Sequence, residues 1–271
     1  MCTAGCCSRY AVTITGYDVW AIARHYQLAP EQFLVTIPQK KPTGRGFLLP
    51  AHEGTFDIAL DKAATGTEAE VCVFWLGFPG GIGRCGIYPH RPFACQVYPA
   101  YLNEGTPAKR DDVLCPDDAW LDGSLAESIW HDRLLLLQVE YDIYGLAVAR
   151  WNYHVQNTPT PHLIDIPGYY TYLMNFYGRL EPLRGRFGAA DWMALCTAWA
   201  TCWMDGVSPL AARVPAMDRW ADDLDTIVAV ANSFFPSDPR SQAEGGEPGD
   251  DRTVIEVGAS SEDRSGTPTT R

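Results

Sequence analysis

The pattern of apolar and polar positions divides the chain into two parts of different character. "AVTIT", Ala11 to Thr15, has the β-branched content of a short strand. "YDVWAIARHYQL" follows it and sets Val19, Ile22, Ala23 and Tyr26 on one face at helical spacing. Asp18 stands near the start of that helix, where a carboxylate faces the unpaired amides favourably. "IPQKKPTGRGFLLPAHEG" is broken by proline and glycine and reads as loop with one short strand. "FDIAL" and "VCVFWL" read as two further strands, the second carrying Cys72, and "GFPGGIG" after them as a loop.

Beyond residue 120 the apolar period becomes helical. Ser124 followed by Glu127 has the form of a capping box ahead of an apolar-periodic run from Leu125 to Arg150. "GYYTYLMNFYGRLEPL", "AADWMALCTAWATCWM" and "AMDRWADDLDTIVAVANSFF" predict three more helices. Trp192, Cys196, Trp199 and Trp203 share one helical face and read as a packing stripe, which makes Cys196, and Cys202 beside it, core thiols. Tyr169, Tyr170, Tyr172, Phe176 and Tyr177 read as core aromatics in the same way. After Pro236 the chain is rich in Ser, Gly, Asp, Glu and Thr and holds too little apolar surface to order itself. The expected fold class is therefore α+β: a small loop-rich cysteine-cluster unit followed by a mainly α-helical region. Residues 1–120 form the first part, 121–235 the helical region and 236–271 a disordered acidic tail.

Composition narrows the function. The chain has 271 residues, ample for a core, and a net charge of -12, which argues against nucleic acid or an anionic membrane as partner. No apolar run approaches the roughly 20 residues of a bilayer-spanning helix. The N-terminus lacks the basic segment and apolar stretch of a secretory signal, so the expected location is cytoplasmic. The expected substrate is a small molecule or another protein. No Ser-His-Asp pattern, P-loop or H-E-x-x-H is present, so no catalytic residue is assigned and the enzyme question stays open.

Nine cysteines change the picture. A cytosolic chain keeps its thiols reduced, and reduced thiols are soft ligands for zinc or iron–sulfur clusters. Seven of them, Cys2, Cys6, Cys7, Cys72, Cys85, Cys95 and Cys115, precede residue 116. In "RCGIYPHRPFACQVYP", Pro89, Pro92 and Pro99 stiffen the backbone between and beyond Cys85 and Cys95, which lowers the entropy lost on closing a metal site. Arg91 supplies a positive charge to offset several thiolates, and Tyr88 and Tyr98 cover the site from water. "GIGRCG" fits G-x-G-x-x-G, but the prolines after it prevent the helix that a dinucleotide site needs.

These residues carry a resemblance. "CTAGCCSRYAVTITGYDVWAIARHYQL", "VCVFWL" and "RCGIYPHRPFACQVYP" together resemble the YkgJ-type cysteine-cluster family, a zinc- or iron-chelating domain whose wider group includes a flagellin lysine methylase. The closing pattern C-x-x-Y-x-x-R-P-x-x-C-x-x-Y-P is matched by Cys85, Tyr88, Arg91, Pro92, Cys95, Tyr98 and Pro99. The resemblance implies Cys6, Cys7, Cys72, Cys85 and Cys95 as metal ligands. It departs at the start, where one cysteine of C-x-x-C-G-x-C-C is missing and Cys2 is out of register, so that the further sulfur comes from Cys2 or Cys115. The thiol-rich supply favours a [4Fe-4S] cluster with a redox or enzymatic role. The alternative is a zinc ion in a structural module that serves as an interaction scaffold.

Overall fold

The fold is that of a computed structural model, which describes residues 5–50, 52–64, 70–79, 82–103, 106–111, 113–114, 128–159, 164–187, 189–205 and 207–235. The first part holds helices α1 (Gly5–Arg9), α2 (Gly16–Tyr26) and α3 (Phe93–Val97). Its strands are β1 (Leu34–Pro38), β2 (Phe56–Leu60), β3 (Lys62–Ala64), β4 (Glu70–Cys72), β5 (Trp75–Phe78), β6 (Ile82–Cys85), β7 (Ala100–Asn103) and β8 (Thr106–Lys109). They form four two-stranded antiparallel ladders, each from strands consecutive in the chain. The second part holds α4 (Ser128–Asn157), α5 (Ile166–Arg186), α6 (Ala189–Met204) and α7 (Ala221–Phe234). The α+β class expected from the pattern is the observed one. Among the described residues no helix is long and apolar enough to cross a membrane.

Helix α2 forms where the periodicity places it, with Val19, Ile22 and Ala23 buried. Its start is a capping box: Thr15 Oγ1 accepts from the Asp18 amide at 3.3 Å, and the Asp18 carboxylate accepts from the Thr15 amide at 2.9 Å. It ends at Gln27, whose φ of 54° reverses the chain.

Two strand expectations are corrected. "AVTIT" makes only an isolated bridge from Thr13 to Ala59, on the edge of β2 that β1 leaves open, and it ends where Thr15 is taken by the helix cap. "VCVFWL" is not one strand: Cys72 ends β4 and Trp75 begins β5, with Val73 and Phe74 turning between two ladders. The turn is fixed by the Val73 amide on the Asp61 carbonyl at 2.9 Å and the Gly86 amide on the Phe74 carbonyl at 2.7 Å. The stretch read as a loop after Trp75 is thus the hairpin β5–β6. In the helical part, Pro215–Trp220 is a 3₁₀ turn, so α7 starts later than the periodicity predicts, and α5 runs on through Pro182. The Ser124 and Glu127 cap lies outside the described residues.

One buried core runs from Ile14 to Ala231 and takes side chains from both parts of the chain. Tyr169, Tyr170, Tyr172, Phe176, Tyr177, Cys196, Trp199 and Cys202 are all buried in it, as the helical stripes predict. Gly16 lies against α5 so closely that a Cβ there would strike the Tyr177 ring. A second small core packs Phe93, Val97 and Ala100 against Leu134 and Leu137 of α4. Each such side chain removed from water contributes about 1.5–3 kcal/mol, so α3 is held firmly despite its single turn.

Between α2, α4 and α5 sits a buried charge pair. Arg184 Nη2 faces Glu140 Oε1, and the Arg184 guanidinium lies 4.0 Å from the centre of the Tyr17 ring. Glu140 Oε2 and the Tyr177 hydroxyl are buried without a hydrogen-bond partner among the described residues.

Candidate metal centre

Four separate segments deliver five thiols to one cavity. Cys6 and Cys7 lie on α1, Cys72 at the end of β4, Cys85 at the end of β6 and Cys95 on α3. All five line a cavity of about 470 Å³. Each is placed by an identifiable local cause. Lys62, opposite Cys72 in the β3–β4 ladder, donates from Nζ to the Ser8 carbonyl at 3.2 Å and so ties that hairpin to α1. Cys85 pairs in register with Trp75 at the open end of the β5–β6 hairpin, away from its turn. From there the chain makes a 3₁₀ turn over Tyr88–His90, closed by the His90 amide on the Ile87 carbonyl at 2.9 Å. Pro92 then starts α3, because its fixed φ suits the position before the first helical turn. The proline-rich segment is therefore two short turns that present Cys85 and Cys95 to the same space.

Helix α3 is anchored on three sides. The Phe93 amide donates to Asp18 Oδ1 at 3.0 Å. The Phe93 ring stacks on Tyr17, centroids 5.6 Å apart. Gln96 Nε2 donates to the Arg91 carbonyl at 2.7 Å. Burial pushes the Asp18 carboxyl up from its ordinary range, against hydrogen bonds from Thr15 and Phe93 that favour its anion.

The thiols differ electrostatically. The Cys7 thiol donates to Cys6, which holds Cys6 as a thiolate with a pKa of about 6; Arg91 adds to the same effect. Cys7 is raised, first by the proton it donates to Cys6 and then by burial. Burial likewise pushes Cys72 and Cys95 up. Two arginines line the cavity with the sulfurs, Arg91 and the exposed Arg84. Arg91 packs 4.2 Å over the Tyr88 ring. Tyr88 is 59% exposed and stands at the mouth, while Tyr98 lies outside this cavity and accepts the Leu114 amide at 2.8 Å.

No histidine or carboxylate is among the described lining residues. The donor set is thus all sulfur, which fits a thiophilic metal. Among the described residues no group of three Cys, His, Asp or Glu side chains is already drawn together as a site for one ion. Cys2 and Cys115 lie outside the described residues. Cys196 and Cys202 are on α6 and do not line the cavity. Arg84 and the anchoring role of Asp18 were not foreseen. The first had a signal in its place beside Cys85; the second depends on a bond spanning 75 residues.

Such a fold and site define a cysteine-cluster metal-binding domain joined to a helical region. Residues 1–116 match the family model CxxCxxCC, described as "Putative zinc- or iron-chelating domain", the family that the cysteine pattern resembles. No curated protein and no solved structure matches the chain.

Proposed function

We propose that the chain carries a [4Fe-4S] cluster with a redox or enzymatic role, held by sulfurs from among Cys6, Cys7, Cys72, Cys85 and Cys95. The carrying observation is that five thiols, with no histidine or carboxylate among the described lining residues, share one cavity of about 470 Å³. A closed zinc site uses four ligands, and the thiol-rich supply here favours a cluster. A cluster takes its ligands at the corners of a larger body. When bound, it would supply one-electron transfer.

The chain's own residues serve such a centre in three ways. Arg84 and Arg91 offset the negative charge of several thiolates. Val12, Leu60, Phe74 and Ile87 line the cavity with the thiols and limit water. Asp18 and the α3–α4 core hold Cys95 against drift.

Anaerobic purification of the full chain, followed by iron, sulfide and zinc analysis with a visible spectrum, tests the reading. The expected result is about four irons and four sulfides per chain with a coloured protein. Both are lost in the Cys85→Ser, Cys95→Ser double variant. A colourless protein with about one zinc would overturn the proposal in favour of a structural site.

A further inference from the structure

Two imidazole rings meet face to face on the surface of the cysteine-bearing part. His25 lies in the last turn of α2, and His90 ends the 3₁₀ turn Tyr88–His90. Their ring centres are 3.6 Å apart and the ring planes are tilted by 35°. The Tyr26 ring stands edge-on to both, 4.7 Å from His25 and 6.0 Å from His90 between centres.

The backbone beneath each ring is fixed by its own contacts. Val19, Ile22 and Ala23 bury one face of α2, and the Leu28 amide on the Ala23 carbonyl at 3.0 Å closes its end. The His90 amide on the Ile87 carbonyl at 2.9 Å closes the other turn, with Ile87 buried and Pro89 and Pro92 stiffening the chain on either side. The side chains themselves are exposed, and among the described residues neither ring nitrogen has a hydrogen-bond or ion-pair partner. Their lone pairs are open to solvent and to what it carries.

An imidazole nitrogen is a ligand for zinc, nickel, copper or ferrous iron. Bound at about 2.0–2.1 Å by one nitrogen of each ring, such an ion would set the ring centres roughly 4.5 Å apart. The stacked rings thus open by about 1 Å, a swing that two exposed side chains allow. With one ring bound, the second is already at hand and adds its bond at high effective concentration. Among the described residues no group of three Cys, His, Asp or Glu forms there, so water fills the remaining positions.

We propose that His25 and His90 together bind a divalent transition-metal ion, as a surface capture site beside the thiol cavity. One short turn joins the two places: Tyr88 lines the cavity at its mouth, and His90 ends the same turn. Two protein ligands and water hold an ion loosely, which suits an ion in transit. The assignment deepens the metal-centre reading and rests on it for the ion's destination, not for its capture.

Equilibrium dialysis of the full purified chain against Ni²⁺ at neutral pH, with nickel, iron and zinc per chain measured before and after, tests it. Wild type is expected to take up one Ni²⁺ with a Kd on the order of 10–100 μM, and His25→Ala and His90→Ala each to weaken that uptake at least tenfold. Nickel taken by the thiols is common to all samples, so the difference isolates the pair. His52→Ala removes an exposed histidine elsewhere and is expected to change nothing. His25→Gln and His90→Gln repeat the test with polar side chains should either alanine disturb its turn. Equal uptake in wild type and both variants, or a loss in only one of them, overturns the pair. The metal held before dialysis separates the two readings. A chain with histidine-dependent nickel uptake but no iron or zinc as purified supports the pair and overturns the metal centre; a metal-replete chain without such uptake overturns the pair alone.

Discussion

Asp18 accepts the Phe93 amide at 3.0 Å while its other oxygen closes the cap with Thr15, so one buried carboxylate joins the start of α2 to the start of the helix that carries Cys95. Removing it strands two buried amides. Asp18→Ala is expected to cost about 2–4 kcal/mol in urea unfolding and to lower the metal retained per chain. Asp18→Asn keeps an acceptor oxygen and is expected to lose less of both. Equal metal content in wild type and Asp18→Ala would show that Cys95 does not depend on this tie.

The Glu140–Arg184 pair sets a second expectation. Burial pushes the Glu140 carboxyl up, and Arg184 opposes that shift. Glu140→Gln leaves the guanidinium without its counter-charge and is expected to destabilise the chain by about 3–5 kcal/mol. Replacing both residues by methionine is expected to cost much less, because the desolvation of two charges is then avoided. Chemical denaturation of both variants at pH 7 measures the difference.

Cys6 and Cys7 share a proton, which gives a reactivity with a defined pH dependence. In the metal-free chain, alkylation of Cys6 by iodoacetamide should rise with a midpoint near pH 6 and fall away below it, since the thiolate is the nucleophile. Cys7→Ala removes the donor that lowers Cys6, so the midpoint should move upward towards the ordinary thiol value of 9.0. Cys7→Ser retains a donor and should hold the midpoint low. Peptide mass spectrometry across a pH series reads all three.

Cys196 is a packing residue and its replacement should leave the metal site intact. Cys196→Ala is expected to cost about 1 kcal/mol of stability with unchanged metal content. Cys95→Ser, made in parallel, should lose metal. A loss of metal in Cys196→Ala would place a ligand on α6.

Much of the fold was legible in the sequence, and for particular reasons. The faces of α2, α5 and α6 repeat at helical spacing, so Val19, Ile22, Tyr169, Tyr177, Cys196 and Trp199 appear as core before any contact is known. Proline spacing exposed the stiffness between Cys85 and Cys95. The short ladders were harder: "VCVFWL" is uniformly apolar, and nothing in it marks the turn at Val73 and Phe74 where one hairpin ends and the next begins. The bond from Phe93 to Asp18 and the Arg184–Glu140 pair are pairings across long stretches of chain. They leave no periodic trace.

The four ladders carry a consequence for handling the protein. Each has two strands, and β2 gains further backbone partners on its outer edge, from Val12, Ile14 and Phe47. An uncovered strand edge is a template for pairing with another molecule. What keeps these hairpins apart is their packing around the cysteine cavity and against the helices. A fault in that cavity should therefore show itself first in yield and aggregation during expression, before any assay of chemistry is run, and growth medium becomes a structural variable.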